Sequence, residues 1–214
     1  MSRNLLLSIA LLAAGTAFAE GDSSYFGVRA GMEVTIPASS ANIYTTGAGF
    51  HVGGIYHYAA WRNVFIEPGV MFFYNTMSNR NPVEVGDFMF DGVARFYGLR
   101  VPLMAGYTFS AGENLQIGVA TGPVMNINLS GRQEFDPNFG APLPVPESTV
   151  NLMKHGSRRV DALWGLRLSF TFSQNYYIGI DGEVAFTPLA KFGNGDKKVR
   201  VHRNSIAVTL GYNF

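Results

Sequence analysis

The last ten residues alternate strictly between large apolar side chains and small or polar ones. The large side chains stand at Ile206, Val208, Leu210, Tyr212 and Phe214. The positions between them, from Ser205 to Asn213, are all small or polar. Because successive side chains of a strand point to opposite faces, a period of two predicts an extended strand with one apolar face.

Seven further segments of strand-like pattern precede this one. The eight predicted strands cover residues 24–36, 48–58, 63–76, 91–109, 115–130, 158–172, 176–188 and 203–214. Short connections (59–62, 110–114 and 173–175) alternate with long ones (37–47, 77–90, 131–157 and 189–202). Outer-membrane barrels combine short turns on one side with long loops on the other, on an even number of antiparallel strands. We therefore predict an all-β fold, an eight-stranded antiparallel transmembrane up-and-down β-barrel whose first strand pairs with its last.

The direction of the apolar face separates a membrane barrel from a soluble one such as a lipocalin, in which the apolar face points inward. In the strand 158–172 the apolar set is bulky, whereas the opposite set contains Gly165, Arg167 and Ser169 and suits a narrow lumen. Aromatic residues also gather at the end with the short connections: Tyr56, Tyr58, Trp61, Tyr107, Phe109, Phe172, Tyr176, Tyr212 and Phe214. A girdle at one height is typical of the lipid–water interface and favours the membrane barrel.

Charged residues recur at the centres of the predicted strands, on the polar face. This face carries Arg29, Glu33, His51, His57, Glu67, Arg100, Arg167, Asp181 and Glu183. Lipid exposure of an arginine at mid-membrane costs about 2–4 kcal/mol, so we place these residues in the lumen. Because side chains can fill an eight-stranded barrel and buried charges need partners, we interpret the seven arginines and carboxylates as a structural charge network.

Within this network we expect Arg167 to pair with Asp181 or Glu183, and Arg29 to pair with Glu33 or Glu67. The alternative interpretations of the lumen are an ion or proton pathway and a binding cavity.

The N-terminal residues 1–19 have the pattern of a secretory signal peptide. Arg3 provides the positive region, Leu5 to Leu12 the apolar run, and Ala17-Phe18-Ala19 the cleavage site. The apolar run is shorter than the roughly 20 residues that a transmembrane helix needs. We therefore predict an exported protein with an outer-membrane barrel domain at 20–214.

The cysteine content and the net charge of the chain bear on which sites and partners it can have. The chain has no cysteine, which excludes disulfides and thiolate metal sites. Without Arg3 its 16 basic residues become 15, equal to its 15 acidic residues, so no charge excess indicates a nucleic-acid partner.

The sequence gives little support to a catalytic site or a metal site. The pairs His155/Ser157 and His202/Ser205 lack a nucleophile-elbow motif. His51 and His57 lie about 20 Å apart at the rise of a strand and cannot chelate one ion. We predict no catalytic residue, no metal site and no cofactor.

Three segments carry a resemblance to a known family. They are Val64–Val70 (VFIEPGV), Leu99–Leu103 (LRVPL) and the closing Gly211–Phe214 (GYNF). In these segments the chain resembles the PorT-like outer-membrane β-barrel family of Bacteroidota, small barrels often called porin-family proteins. Because the chain resembles outer-membrane barrels in general, we expect Tyr212 and Phe214 to form the signal that the barrel-assembly machinery recognises. Pro68 and Pro102 stand inside predicted strands, where we expect a bulge or bend to accommodate the missing N–H.

These observations favour a structural or surface-interaction role, with both termini in the periplasm. Outer-membrane lipid and the barrel-assembly machinery are the expected partners, and the loops 131–157 and 189–202 are candidates to bind a surface ligand or protein. Apolar residues among the prolines of the first loop suit such contact. The alternative hypothesis is a narrow porin or transporter for small solutes, and an outer-membrane enzyme is a distant third.

Overall fold

The protein is described from a computed structural model, for residues 24–39, 44–79, 83–85, 88–90, 92–112, 114–135, 149–154, 157–192 and 199–214. The predicted signal peptide lies outside these residues. Eight long strands form the fold: β1 Tyr25–Ser39, β2 Gly47–Trp61, β3 Val64–Asn79, β4 Gly92–Ser110, β5 Leu115–Phe135, β6 Val160–Phe172, β7 Tyr176–Ala185 and β8 Val199–Asn213. Among the described residues, no helix is long and apolar enough to span a bilayer.

The eight strands close into an antiparallel barrel. Each strand pairs with its neighbour in the chain, and β1 pairs with β8 from Gly27↔Asn213 to Ser39↔Val201. The predicted fold class is therefore confirmed. Three connections are short turns, and we call the barrel end that carries them and both described termini the turn end; the opposite end is the loop end.

Strand boundaries differ from the prediction mainly at the loop end. β5 continues to Phe135, and β8 already begins at Val199. The short strands Thr149–Asn151 and Ala190–Phe192 pair with these extensions. They supply backbone partners for Arg132–Glu134 and Val199–Val201, which the prediction assigned to the long connections, although residues 199–202 continue the alternation of β8. Two further short strands, Val83–Val85 and Phe88–Phe90, form a separate hairpin, and Tyr44–Thr45 pairs with β3.

The strand faces have the polarity of a membrane barrel. On β8, Ile206, Val208 and Leu210 are more than half exposed on the outside, whereas Ser205 and Thr209 are buried inside. The large apolar side chains thus cover the outer wall, and the polar and charged ones face the lumen. A soluble barrel has the reverse arrangement.

Aromatic side chains form two belts on the outer wall. The belt at the turn end contains the exposed rings of Tyr58, Trp61, Tyr107, Phe109, Phe172, Tyr176, Tyr212 and Phe214. A second belt, which the sequence analysis did not identify, lies nearer the loop end and contains Phe50, Phe72, Tyr74, Tyr97, Trp164 and Phe186. On β2, Tyr58 and Phe50 are eight residues apart, or about 26 Å along the strand. Two girdles at this separation, on tilted strands, match the apolar band of a transmembrane barrel.

Prolines interrupt the ladder at three adjacent strands. The pairs between Pro68↔Leu103 and Met71↔Arg100 are missing, although the register is the same on both sides of the gap. No bulge lies at Pro68 or Pro102, so this form of the prediction is wrong, and the alternative form, a local bend, stays a prediction. The ladder instead opens locally, because proline has no N–H to donate.

A second gap of the same kind lies between β4 and β5. It separates the pairs Pro102↔Val124 and Ala105↔Thr121, and the register around it places Leu103 opposite Pro123. Pro68, Pro102 and Pro123 therefore follow one another across the wall of β3, β4 and β5, and we call them the proline row. The bulges of the barrel lie elsewhere, at Ala59/Trp61 and at Tyr97/Gly98.

Candidate functional site

The lumen of the described barrel is occupied by side chains in layers, which begin with Arg29 at the turn end. Its guanidinium lies 3.8 Å from the ring centroid of Tyr177, and Nη2 donates to Oδ1 of Asn213 at 2.8 Å. Nη1 donates to the carbonyl of Val28 at 3.0 Å. No carboxylate of the described residues forms an ion pair with Arg29, so the predicted pairing with Glu33 or Glu67 is wrong.

The register explains where Arg29 points. Gly211 lies opposite Arg29 on β8, and a Cβ at that position would come within 2.6 Å of Cδ of Arg29. The glycine therefore leaves the space through which the arginine reaches Asn213 and Tyr177. This contact gives a physical reason for glycine in the closing GYNF segment.

Arg100 organises the centre of the lumen. It binds Glu33 through two bonds, from Nη1 to Oε2 at 2.7 Å and from Nη2 to Oε1 at 3.2 Å. Nη2 also lies 3.4 Å from Oε2 of Glu183, and Nε donates to Oδ1 of Asn126 at 3.1 Å. Arg100 is therefore a counter-charge shared by two buried carboxylates.

Arg167 forms a second centre closer to the turn end. Its Nε donates to Oδ1 of Asp181 and its Nη1 to Oε1 of Glu67, each at 2.5 Å. Asp181 is one of the two partners that the sequence analysis expected for Arg167. Glu67 also lies 3.4 Å from Nδ1 of His57.

A hydroxyl and a histidine join the two centres. The hydroxyl of Thr209 donates to Oδ2 of Asp181 at 2.8 Å and lies 3.1 Å from Nε2 of His51. Nδ1 of His51 lies 3.2 Å from Oε2 of Glu33. Six of the seven charged residues proposed for the network therefore belong to one hydrogen-bonded chain, and Arg29 lies apart from it.

A further buried ion pair was missed by the sequence analysis. Nη2 of Arg203 donates to Oδ2 of Asp161 at 3.0 Å and to Oδ1 of Asn128 at 3.2 Å. Nδ2 of Asn128 donates in turn to Asp161. Asp161 has the same strand parity as Arg167, and Arg203 the same parity as Ser205, so alternation carried the signal for both residues.

Apolar side chains close the lumen at the loop end. This apolar cap consists of Tyr44, Phe73, Met77, Ala94, Phe96, Leu152, Leu189, Ala190 and Val201. Leu152 and Leu189 come from the connections, and their amides donate to the carbonyls of Gly131 and Val201 at 2.9 and 2.8 Å. Tyr44 reaches Gln133 with its hydroxyl, and burial raises the pKa of this tyrosine.

Phe73 joins the apolar cap to the charges below it. The guanidinium of Arg203 lies 4.8 Å from the centroid of this ring, and that of Arg100 lies 5.5 Å away. The aromatic ring therefore separates two buried cations, and each can interact with its π-electrons.

The cavities inside the described lumen are small. One beside Arg100 and Glu183, and another beside Glu67 and Tyr177, each have a volume of about 20 Å³. A volume of this size holds about one water molecule. A larger cavity of about 130 Å³ opens at the turn end and is lined by His57, Arg62 and other residues.

The candidate catalytic pairs do not assemble where the structure describes them. The hydroxyl of Ser205 donates to Glu183 inside the lumen, whereas Nδ1 of His202 lies 3.1 Å from the carbonyl of Ala185. Ser157 forms an isolated bridge with Ala190, and His155 lies outside the described residues. Within the described ranges, no three histidine or carboxylate side chains are placed to hold a metal ion.

An apolar outer wall, two aromatic belts and a charged interior together define an integral outer-membrane β-barrel. No protein-family model matches the chain, and no curated protein matches it. Among solved structures, the chain is similar to Neisserial surface protein A (NspA), with 11% identity, 90% of this chain and 100% of that chain covered, and a TM-score of 0.48. It is similar to the outer membrane protein OprG from Pseudomonas aeruginosa, with 12% identity, 90% and 96% coverage and a TM-score of 0.47. A third similar structure is Ail, the attachment invasion locus protein of Yersinia pestis, in complex with the heparin analogue sucrose octasulfate, with 13% identity, 90% and 99% coverage and a TM-score of 0.42.

Proposed function

We propose that this barrel has a structural or surface-interaction role, which it performs through its external loops and not through its lumen. The observation that carries the proposal is the apolar cap above the charge network. Leu152 and Leu189, from the two loops 131–157 and 189–202, are buried to 5% and 1% exposure in the mouth of the barrel. These two residues obstruct the lumen and anchor the described parts of the loops next to them, and the outer surface of the loops would bind a ligand or a partner protein. The proposed role is non-catalytic.

We also propose a location and a membrane orientation for the chain. Residues 1–19 would direct export and be removed, and the barrel at 20–214 would insert with both termini in the periplasm. The alternation of short turns with long loops supports this orientation, since short turns face the periplasm in outer-membrane barrels. The segments VFIEPGV, LRVPL and GYNF support membership of the PorT-like family of Bacteroidota.

Cysteine labelling tests the orientation directly, because the chain has no cysteine of its own. Lys154 is exposed near the loop end and Ala111 in a turn at the opposite end. In intact cells, Lys154→Cys is expected to react with a membrane-impermeant maleimide, whereas Ala111→Cys is expected to react only after lysis. The reverse labelling would show that the loops face the periplasm.

Measurement of single-channel conductance tests whether side chains close the lumen to ions. The folded protein, added to a planar bilayer, is expected to give no stable single-channel conductance, because the charge network and the apolar cap fill the lumen. The same preparation should migrate differently in detergent gels before and after boiling, which shows that the barrel is folded. A steady open channel from such a preparation would favour the narrow porin over the proposed role.

The assembly role of the closing strand is a separate part of the proposal. The side chain of Phe214 is 73% exposed, and its amide donates to the carbonyl of Phe26 at 2.9 Å. Deletion of Phe214 is expected to reduce the heat-modifiable form in outer membranes several-fold, with little effect on refolding in detergent. Phe109→Ala, in the same aromatic belt, is the control. An equal loss in both variants would indicate a general effect of the belt and contradict specific recognition of Phe214.

A further inference from the structure

Three exposed arginines lie at the loop end, two directly before β6 and one on β8. We call Arg158, Arg159 and Arg200 the basic sector. Hydrogen bonds fix the backbone of the first two, from the amide of Arg158 to the carbonyl of Leu189 at 2.7 Å and from the amide of Asn128 to the carbonyl of Arg159 at 2.7 Å. Arg200 is fixed by the pairing of β8 with the strand Ala190–Phe192.

The described surroundings of the basic sector provide no negative charge for it. Asp161 is buried and already bound by Arg203, and Glu134 forms an ion pair with Arg95. None of the three arginines of the sector forms an ion pair with a described carboxylate.

Backbone hydrogen bonds link the two parts of the sector through Leu189. Its carbonyl accepts from the amide of Arg158, and its amide donates at 2.8 Å to the carbonyl of Val201, the residue after Arg200. A single segment of chain therefore separates Arg158 from Arg200.

The height of the sector relative to the outer wall indicates where the anion lies. Val160, directly after Arg159, is 48% exposed on the outer wall. Trp164, in the aromatic belt nearer the loop end, follows four residues later, or about 13 Å along the strand. The arginines therefore stand just beyond the apolar band, at the level of lipid headgroups.

We propose that the basic sector binds the phosphorylated headgroups of glycolipid in the outer leaflet of the membrane. Guanidinium groups match phosphate by paired, charge-assisted hydrogen bonds. The position next to the apolar band favours a lipid over a soluble polyanion, which would have no need of contact with the wall. The inference deepens the proposed surface role and rests on its orientation, with the loop end outside.

Binding to purified lipid A tests the proposal. The full barrel in detergent is titrated with lipid A that carries its phosphates and with the same lipid after enzymatic dephosphorylation. The wild type is expected to prefer the phosphorylated form, in a salt-sensitive way. The triple variant R158Q/R159Q/R200Q is expected to bind it at least about tenfold more weakly, since each cation near an anionic surface contributes a factor of several.

The control is R62Q, which removes an exposed arginine at the turn end and is expected to bind as the wild type does. Equal affinity for the dephosphorylated lipid, or an unchanged affinity of the triple variant, would overturn the proposal. So would a preference for soluble dextran sulfate, which would assign the sector to a soluble polyanion. Heat-modifiable migration in detergent gels shows whether each variant is folded. The labelling of Lys154→Cys tests the orientation independently. Failure of the lipid site and failure of the proposed function are therefore distinguishable.

Discussion

Replacement of Arg100 by methionine is expected to lower the free energy of unfolding by about 3–5 kcal/mol, the usual cost of removing one partner from a buried ion pair. Methionine fills a similar volume, so the loss reflects charge and not a cavity. Glu33 would lose both of its bonds to the guanidinium, and Glu183 would lose its only described cation. Urea-induced unfolding of the barrel in detergent, followed by tryptophan fluorescence, measures the change.

Two further variants make this prediction specific. Arg95→Met removes an arginine from the exposed ion pair with Glu134 and is expected to cost no more than about 1 kcal/mol. The double variant E33Q/R100M is expected to lose less than the sum of the two single variants, because it removes the stranded charge together with its partner. A loss below 1 kcal/mol for Arg100→Met would show that the network does not stabilise the barrel.

Phe73→Ala is expected to cost about 3–5 kcal/mol, as for other fully buried phenylalanines. The ring of Phe73 belongs to the apolar cap, is completely buried and lies near the guanidinium groups of Arg100 and Arg203. Its removal would leave a cavity next to both cations and loosen the contact of the cap with the charge network. The same unfolding measurement applies.

The neighbouring residue provides a matched control. Phe72 lies on the outer wall of the same strand and is 38% exposed, and its ring centroid lies 6.3 Å from those of Phe50 and Tyr97. Phe72→Ala removes the same number of atoms and is expected to cost clearly less than Phe73→Ala. Equal losses of unfolding free energy in the two variants would mean that burial of the ring in the lumen does not stabilise the barrel.

Side-chain alternation was sufficient to predict the eight strands and their inward and outward faces. It did not predict which charges meet, because alternation gives the face of a residue and the register gives its height. Arg29 illustrates the difference, since it has the expected face but lies level with Gly211 and points to Asn213.

The apolar cap could not be read from the sequence for a related reason. Leu152 and Leu189 stand in connections, where no periodicity marks a buried position. Their amides bond to Gly131 and Val201 within the same connections, but the side chains that bury them come from several strands, which only the folded barrel brings near. The charge network was assigned from residues at the centres of the predicted strands, and Arg203 was missed because it is the first residue of the predicted strand 203–214.

The proline row has a mechanical consequence for the whole wall. β1 and β8 are paired without interruption from Gly27 to Ser39, so this side of the barrel resists separation of its strands. The side formed by β3, β4 and β5 lacks bonds on both sides of β4 and is held there by side-chain packing, including that of Met104 and Val124. Fewer backbone bonds therefore resist separation of the strands at the proline row than at the pairing of β1 with β8.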